Sequence, residues 1–362
     1  MVAGTLRVYG SELSYYTGKL EAYLRYKRIP HERIAMTTRH FRVTVPRATG
    51  AAQMPAVALP DGRWMTDTTP IIDWCETEWP EPPVLPADPV QAFVSRLLED
   101  YADEWLWRPA MHYRWSYDAD ARRASAHLAA EVLADVPAPR WVRRVGIRRR
   151  QYRRFVRDDG VTPHTRAQVE GVYLRTLAHL DAIVSARPFL LGDVPTLADF
   201  GFFGSMFRHF ASDPTPAAIM RERAPAVAAW VQRVWTARAG EAPGVLASGV
   251  PDDWGPLLDD IGASYLPYLC ANAEAWKAGR RRFDVALDGA TYERLPTSRY
   301  RVWCLERLRS HADGLPAPAR EAGRAVLQRH ACWEPLWRVD APGSGYDPEA
   351  RAPFGRGLTV FS

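Results

Sequence analysis

Between Gln53 and Trp79 the chain runs through a proline-opened apolar segment, a tight turn and the start of a helix, an order that few folds accept. Met54-Pro55 heads the segment. Proline cannot donate to a ladder, so it belongs at a strand's first residue or edge, which leaves the preceding backbone available to a ligand. Pro60-Asp61-Gly62 predicts a turn, because proline presets φ and glycine accepts a positive one. Arg63-Trp64-Met65 is then the returning arm of a hairpin. Beyond Thr66-Asp67-Thr68-Thr69-Pro70, the apolar residues Ile71, Ile72, Trp74 and Cys75 recur at helical spacing, so a helix begins within Asp67 to Pro70. Its first N–H groups lack intrahelical partners and its dipole favours an anion, so this terminus can hold a carboxylate.

Upstream, Thr5 to Tyr9 alternates like a strand and Gly10-Ser11 breaks it. Leu20, Tyr23 and Leu24 share one face of a helix over residues 17–28, and Pro30 to Ile34 reads as a second strand. A β-α-β unit, a β-β hairpin and a helix make the order of a thioredoxin-like domain over residues 1–80. Residues 37–52 follow neither period and are expected to be irregular. Pro82, Pro83, Pro86 and Pro89 exclude a helix or a central strand, so 81–89 reads as a linker. Phe93, Leu97, Tyr101, Trp105 and Trp107 then step helically into an all-α domain expected over 90–245. Within it Thr165 to Gln168 fits a capping box. Gly192-Asp193 stops a segment, Pro195 forbids its continuation, and Thr196 with Asp199 satisfies the first N–H groups of an apolar core helix. Asp199 therefore reads as structural, not catalytic. Residues 252–278 look helical, Phe283, Val285 and Leu287 alternate up to an Asp288-Gly289 hairpin turn, and one or two helices span 299–331. A mixed, mainly helical extension is expected over 246–335, followed by an irregular tail over 336–362.

At 362 residues with 47% hydrophobic residues, two or three folding units are expected. The net charge of +5 is concentrated: residues 140–157 carry nine arginines and no acid, in a chain with three lysines. That tract is either a solvated helix face or a contact for an anionic membrane surface, an acidic substrate or nucleic acid. Nucleic acid is the weakest of these, because no recognised binding module accompanies the patch. Cys75, Cys270, Cys304 and Cys332 lie far apart with no CxxC and no metal-ligand spacing, so no metal is expected and a reduced, cytoplasmic setting is. No apolar run reaches the roughly 18 residues of a membrane span, and the N-terminus has no basic-then-apolar signal pattern.

Met54-Pro55, Asp67-Thr68 and the run G-D-x-P-T-x-A-D at 192–199, in this order, resemble the cytosolic glutathione transferases over about residues 5 to 240. The resemblance implies a cis-proline at Pro55 and a Met54 backbone that pairs with the cysteinyl part of glutathione. It gives Asp67 and Thr68 the γ-glutamyl end and offers Gln53, Arg39 and His40 for the glycyl carboxylate. Glutathione is then the cosubstrate, and a small hydrophobic electrophile the second substrate. A donor to the sulfur favours the thiolate and lowers its pKa. Laid on the serine-type pattern, Ser14 takes that donor position, with Tyr9 and Tyr16 as competing donors and a simple helix cap as the alternative role. Tyr15 stands where the family often has proline. No cysteine lies in this loop, so conjugation, addition-elimination and isomerisation stay open and mixed-disulfide chemistry lacks a nucleophile. Tyr101, Trp105, His112 and Trp115 are expected to line the second-substrate pocket, although aromatic stripes also build cores. The resemblance leaves a homodimer open, with the extension placed to block it. The all-α half is also similar to metaxin-like and failed-axon-connection-like proteins. A non-catalytic scaffold at an anionic membrane is therefore the rival reading, and a glutathione-dependent isomerase or lyase a third.

Overall fold

The computed structural model describes residues 4–240, 244–347 and 349–358. Strand β1 (Leu6–Gly10) pairs in parallel with β2 (His31–Ala35) across the helix α1 (Tyr15–Tyr26), and antiparallel with β3 (Ala56–Ala58). β3 turns back into β4 (Trp64–Thr66), so the sheet order is β2-β1-β3-β4. Val8 lies opposite Val57 and Val57 opposite Met65, all buried, so the period-two pattern sets one inner face. The helix α3 (Thr68–Glu78) closes this thioredoxin-like unit.

Residues 37–52, expected to be irregular, are largely helical. A π-helical turn at His40–Thr44 runs into α2 (Val45–Thr49), with Pro46 in the first turn, where its missing N–H is harmless. Gly50 ends it at φ 80°, the left-handed cap that glycine adopts freely. Within α2 only Val45 and Thr49 are buried, and so short a helix displays no period.

The second unit comprises α4 (Pro89–Glu104), α5 (Trp107–Ser116), α6 (Asp118–Ala130), α7 (Arg140–Tyr152) with a π-helical turn at Arg153–Arg157, α8 (Arg166–Ala186), α9 (Leu197–Ser205), α10 (Pro214–Arg223) and α11 (Pro225–Thr236). α9 is its axis: every residue is buried, and it packs on both α4 and α1. Asp199 explains this position. One carboxylate oxygen accepts the Thr196 N–H at 2.9 Å and its hydroxyl at 3.1 Å, while the other accepts the Leu190 N–H at 2.9 Å and the Trp230 indole at 3.0 Å. All its acceptor capacity is structural. The capping box read at Thr165 is absent. The Thr165 hydroxyl donates to the Gly160 carbonyl at 2.7 Å, and Gln168 turns to Asp288 and Tyr292 in a hairpin far along the chain.

That hairpin, β5 (Arg282–Leu287) and β6 (Ala290–Pro296), follows α12 (Gly255–Asp260) and α13 (Leu266–Lys277) and precedes α14 (Arg299–Asp313), α15 (Ala317–Arg329) and α16 (Trp333–Arg338). α14 and α15 lie against α4. Asp73 of α3 accepts from Arg96 of α4 at 2.8 Å and from Arg307 of α14 at 2.9 Å, which ties the three parts together. The irregular tail then returns to the first sheet. Phe354 meets the Trp74 ring edge-on at 5.4 Å, and the Gly357 N–H donates to the Thr49 carbonyl at 2.7 Å.

Candidate active site

A cavity of about 540 Å³ lies between the sheet unit and the helical unit. Ser14, Tyr16, Gln53, Met54, Pro55, Asp67 and Thr68 line it from the first unit, Trp107, Met111 and Trp115 from α5, and Tyr300 from α14.

Ser14 is the N-cap of α1, with extended φ and ψ and a side-chain oxygen that accepts the Thr17 N–H at 3.2 Å. A hydroxyl that accepts there keeps its own O–H to donate elsewhere, and it sits at the positive end of the helix. The loop before it is pinned. The Ser11 hydroxyl donates to Glu131, and Arg114 donates to the Leu13 carbonyl at 2.9 Å. Arg114 also binds Asp213 at 2.7 Å and the His209 Nε2 at 2.8 Å. Burial and that guanidinium hold His209 well below the usual imidazole range, so it stays neutral and accepts.

The Met54–Pro55 peptide is cis. Met54 precedes the ladder, which starts at Ala56. The buried Gln53 Oε1 has no hydrogen-bond partner within the chain, although a polar atom out of water normally has one. Asp67 holds φ 72° and ψ 117°, a left-handed strain that non-glycine residues keep chiefly where surrounding structure imposes it at functional positions. Its carboxylate accepts the Tyr300 hydroxyl at 2.9 Å. Burial pushes its pKa up, against the opposing pull of Arg307, Tyr300 and Lys19.

Beneath these residues lies a buried ionic layer that the sequence reading did not see. Lys19 sits between Glu99 and Asp103, 2.5 Å from each, and Thr69 donates to Glu99 at 2.6 Å. Burial opposes the Lys19 charge, but the two carboxylates outweigh it and raise its pKa. Glu104, also in the cavity wall, is pushed up to about 7 by burial, with Arg301 at 3.3 Å opposing and Asp100 and Asp67 adding. Helical spacing alone does not distinguish a buried lysine from one on a solvated face.

Several named residues lie elsewhere. Tyr9 packs between His40 and Trp64 outside the cavity. Tyr16 lines the wall but stacks between Tyr15 and Trp107, and its hydroxyl donates to the Asp103 carbonyl at 3.0 Å. The main-chain N–H of Arg39 goes to Asp135, and His40 Nδ1 accepts from Thr37; neither residue lines the cavity. Of the four aromatic-segment residues, Trp115 faces the cavity. Tyr101 packs on Phe202 and Tyr265, and Trp105 on Tyr265, Tyr268 and the Arg108 guanidinium, because the extension covers that side of α4. His112 is held between Glu170 and Ser116 at 2.9 Å each, and burial lowers its pKa. The sequence reading left Arg42, Arg150, Arg154 and Tyr300 out of the site, and all four line it. A signal for part of this was present: Ile147, Arg150, Gln151, Arg154 and Phe155 form one helical stripe inside the arginine tract.

A thioredoxin-like sheet, a following helical unit and a cavity between them define a glutathione-transferase type of fold. Residues 13–78 match the family model of the glutathione S-transferase N-terminal domain, and residues 163–233 that of the C-terminal domain. The chain thus matches both domain models of the glutathione S-transferase family, in the order sheet domain then helical domain. Similar solved structures include a glutathione S-transferase from Ceriporiopsis subvermispora in complex with glutathione, at 16% identity and TM-score 0.45, covering 65% of this chain and 99% of that one. A glutathione S-transferase from Methylobacterium radiotolerans in complex with glutathione sulfonate has 20% identity and TM-score 0.40, with 68% and 100% covered. A beta-etherase from Sphingobium has 20% identity and TM-score 0.42, with 64% and 95% covered. No curated protein matches the chain.

Proposed function

We propose that the chain is a glutathione transferase in which Ser14 ionises the thiol of glutathione for attack on a small electrophile. The observation that carries this is the meeting, in one cavity, of the Ser14 cap, the Gln53-Met54-Pro55 segment and the Asp67-Thr68 helix start. The cysteinyl backbone pairs with Met54. Asp67 takes the γ-glutamyl ammonium, while the Thr68 hydroxyl and the first N–H groups of α3 take its carboxylate. Gln53 meets the glycyl end, where its buried oxygen, without a partner within the chain, accepts the glycyl N–H and its side-chain N–H group donates to the carboxylate. The Ser14 O–H, free because its oxygen already accepts from Thr17, donates to the sulfur, and the positive end of α1 adds to the thiolate's stability. The electrophile rests on Trp107, Met111 and Trp115. A glutathione-dependent isomerase or lyase would use the same thiolate and differ only in the second substrate. Calorimetry and turnover of model aryl halides test the reading; no heat at millimolar glutathione from a folded sample removes it.

One observation favours a second reading. Tyr300, from the extension, already bonds the carboxylate meant for an ammonium. A non-catalytic protein whose extension fills that subsite, held on anionic lipid by the exposed arginines of α7, would look the same there. Salt-sensitive flotation with anionic vesicles, without turnover, would support it.

A further inference from the structure

We propose that the outward face of α7 docks on an anionic lipid surface, with Trp141, Val145 and Tyr152 entering the headgroup layer and the arginines around them meeting lipid phosphates. The proposal rests on the lipid contact of the second reading above, adds an apolar contact to it, and holds whether or not the chain turns over glutathione. Among the described residues six large apolar side chains are exposed, and four of them, Trp141, Val142, Val145 and Tyr152, fall within this one helix of 13 residues. Trp141 is 68% exposed.

Packing fixes which way the helix faces. Ile147 is buried, and the Arg143 guanidinium donates to the Ala129 and Leu133 carbonyls, at and just beyond the end of α6, at 3.1 and 2.5 Å. Arg150 and Gln151 line the cavity from that same inner side. On the opposite side Trp141, Val145 and Tyr152 fall within about 40° of one another and make a stripe about 16 Å long. Arg144 and Arg148 flank it on one edge and Arg149 on the other. A methyl group at Gly146 would meet nothing within 4 Å, so no other part of the described chain covers this turn of the helix.

Six of the 13 residues are arginine and none is acidic. Arg148 pairs with Asp118 at 2.8 Å, but Arg140, Arg144 and Arg149 are exposed and, among the described residues, meet no carboxylate. An apolar protein partner would desolvate these charges. The headgroup layer takes an aromatic ring and a guanidinium side by side. A nucleic acid backbone would meet the arginines but gives no place to the branched side chains of Val142 and Val145 that lie among them.

The test is flotation of the full chain with phosphatidylcholine vesicles, pure or with about 30% phosphatidylglycerol. Binding is expected to the anionic vesicles alone and to weaken as salt rises. All the substituted side chains are exposed, and thermal unfolding checks that each variant stays folded. Trp141→Ser with Val145→Ser should weaken binding about tenfold, and Arg144→Gln with Arg149→Gln about thirtyfold. Arg221→Gln with Arg223→Gln, which removes the same charge from the end of α10, should cost less than about twofold. Equal losses in both arginine pairs would mean diffuse charge, and displacement from vesicles by a short DNA duplex at equal phosphate would mean a nucleic-acid partner; either overturns the proposal. Salt-sensitive binding that ignores Trp141 and Val145 removes it too, and leaves the second reading's charge contact standing. Vesicle binding that depends on them, in a protein that turns over aryl halides, keeps the surface and removes the non-catalytic reading.

Discussion

Tyr300, in the first turn of α14, donates its hydroxyl to the carboxylate of Asp67, 233 positions earlier, at 2.9 Å. The extension is thus part of the cavity wall and not an appendage beside it. Asp67 carries a strained backbone and a buried carboxylate, so the extension supplies a donor where α3 alone would leave a poorly solvated charge. Tyr300→Phe removes that donor. We expect a loss of about 1–3 kcal/mol in urea unfolding at pH 7. Asp67 has a raised pKa, so the loss should shrink in acid as the carboxyl protonates.

Ser14 caps α1 and, under the proposed function, also donates to a sulfur. Ser14→Ala loses both, with about 1 kcal/mol of stability from the cap and a fall in turnover of roughly a hundredfold near neutral pH. Ser14→Asp keeps a cap acceptor but has no hydroxyl proton to give. It should restore the unfolding midpoint without restoring turnover, and recovery of both would reduce Ser14 to a cap.

Glu104 gives a pH prediction with a definite sign. Its folded pKa is near 7 against an ordinary 4.5, so the protonated form is favoured by folding. Its stabilising contribution is complete below about 4.5 and is lost as pH rises through about 7. Glu104→Gln cannot lose it. Relative to the wild type, the variant should gain on the order of 2 kcal/mol in unfolding free energy between pH 5 and 8. Guanidinium titrations at the two pH values read this directly.

Asp199 should behave as a folding residue. Asp199→Ala strands four donors in the core and should cost roughly 3–5 kcal/mol, seen as a loss of soluble protein. Turnover per folded molecule should hold.

The sequence made the fold legible where local chemistry is strong. Proline at Pro55, the turn at Pro60-Asp61-Gly62 and the cap at Thr196-Asp199 each specify one backbone state, and the surrounding elements follow. Site residues close to such punctuation, Ser14, Met54, Asp67 and Thr68, reach the cavity. What escaped was long-range. Tyr101 and Trp105 have the spacing of a helix face, but nothing local says that an extension 160 positions away buries that face. Lys19 and Arg150 look alike in a sequence, and only the packing places one between two carboxylates and the other among arginines.

The central claim is that a tripeptide thiol docks between Met54 and the start of α3 with its sulfur against Ser14. Isothermal titration of the full chain with glutathione at pH 7, with proton release followed in two buffers, tests it most directly. One saturable site of sub-millimolar Kd is expected, with proton release that Ser14→Ala abolishes. A folded protein that shows no saturable heat at millimolar glutathione, or one that binds without releasing a proton, would contradict it.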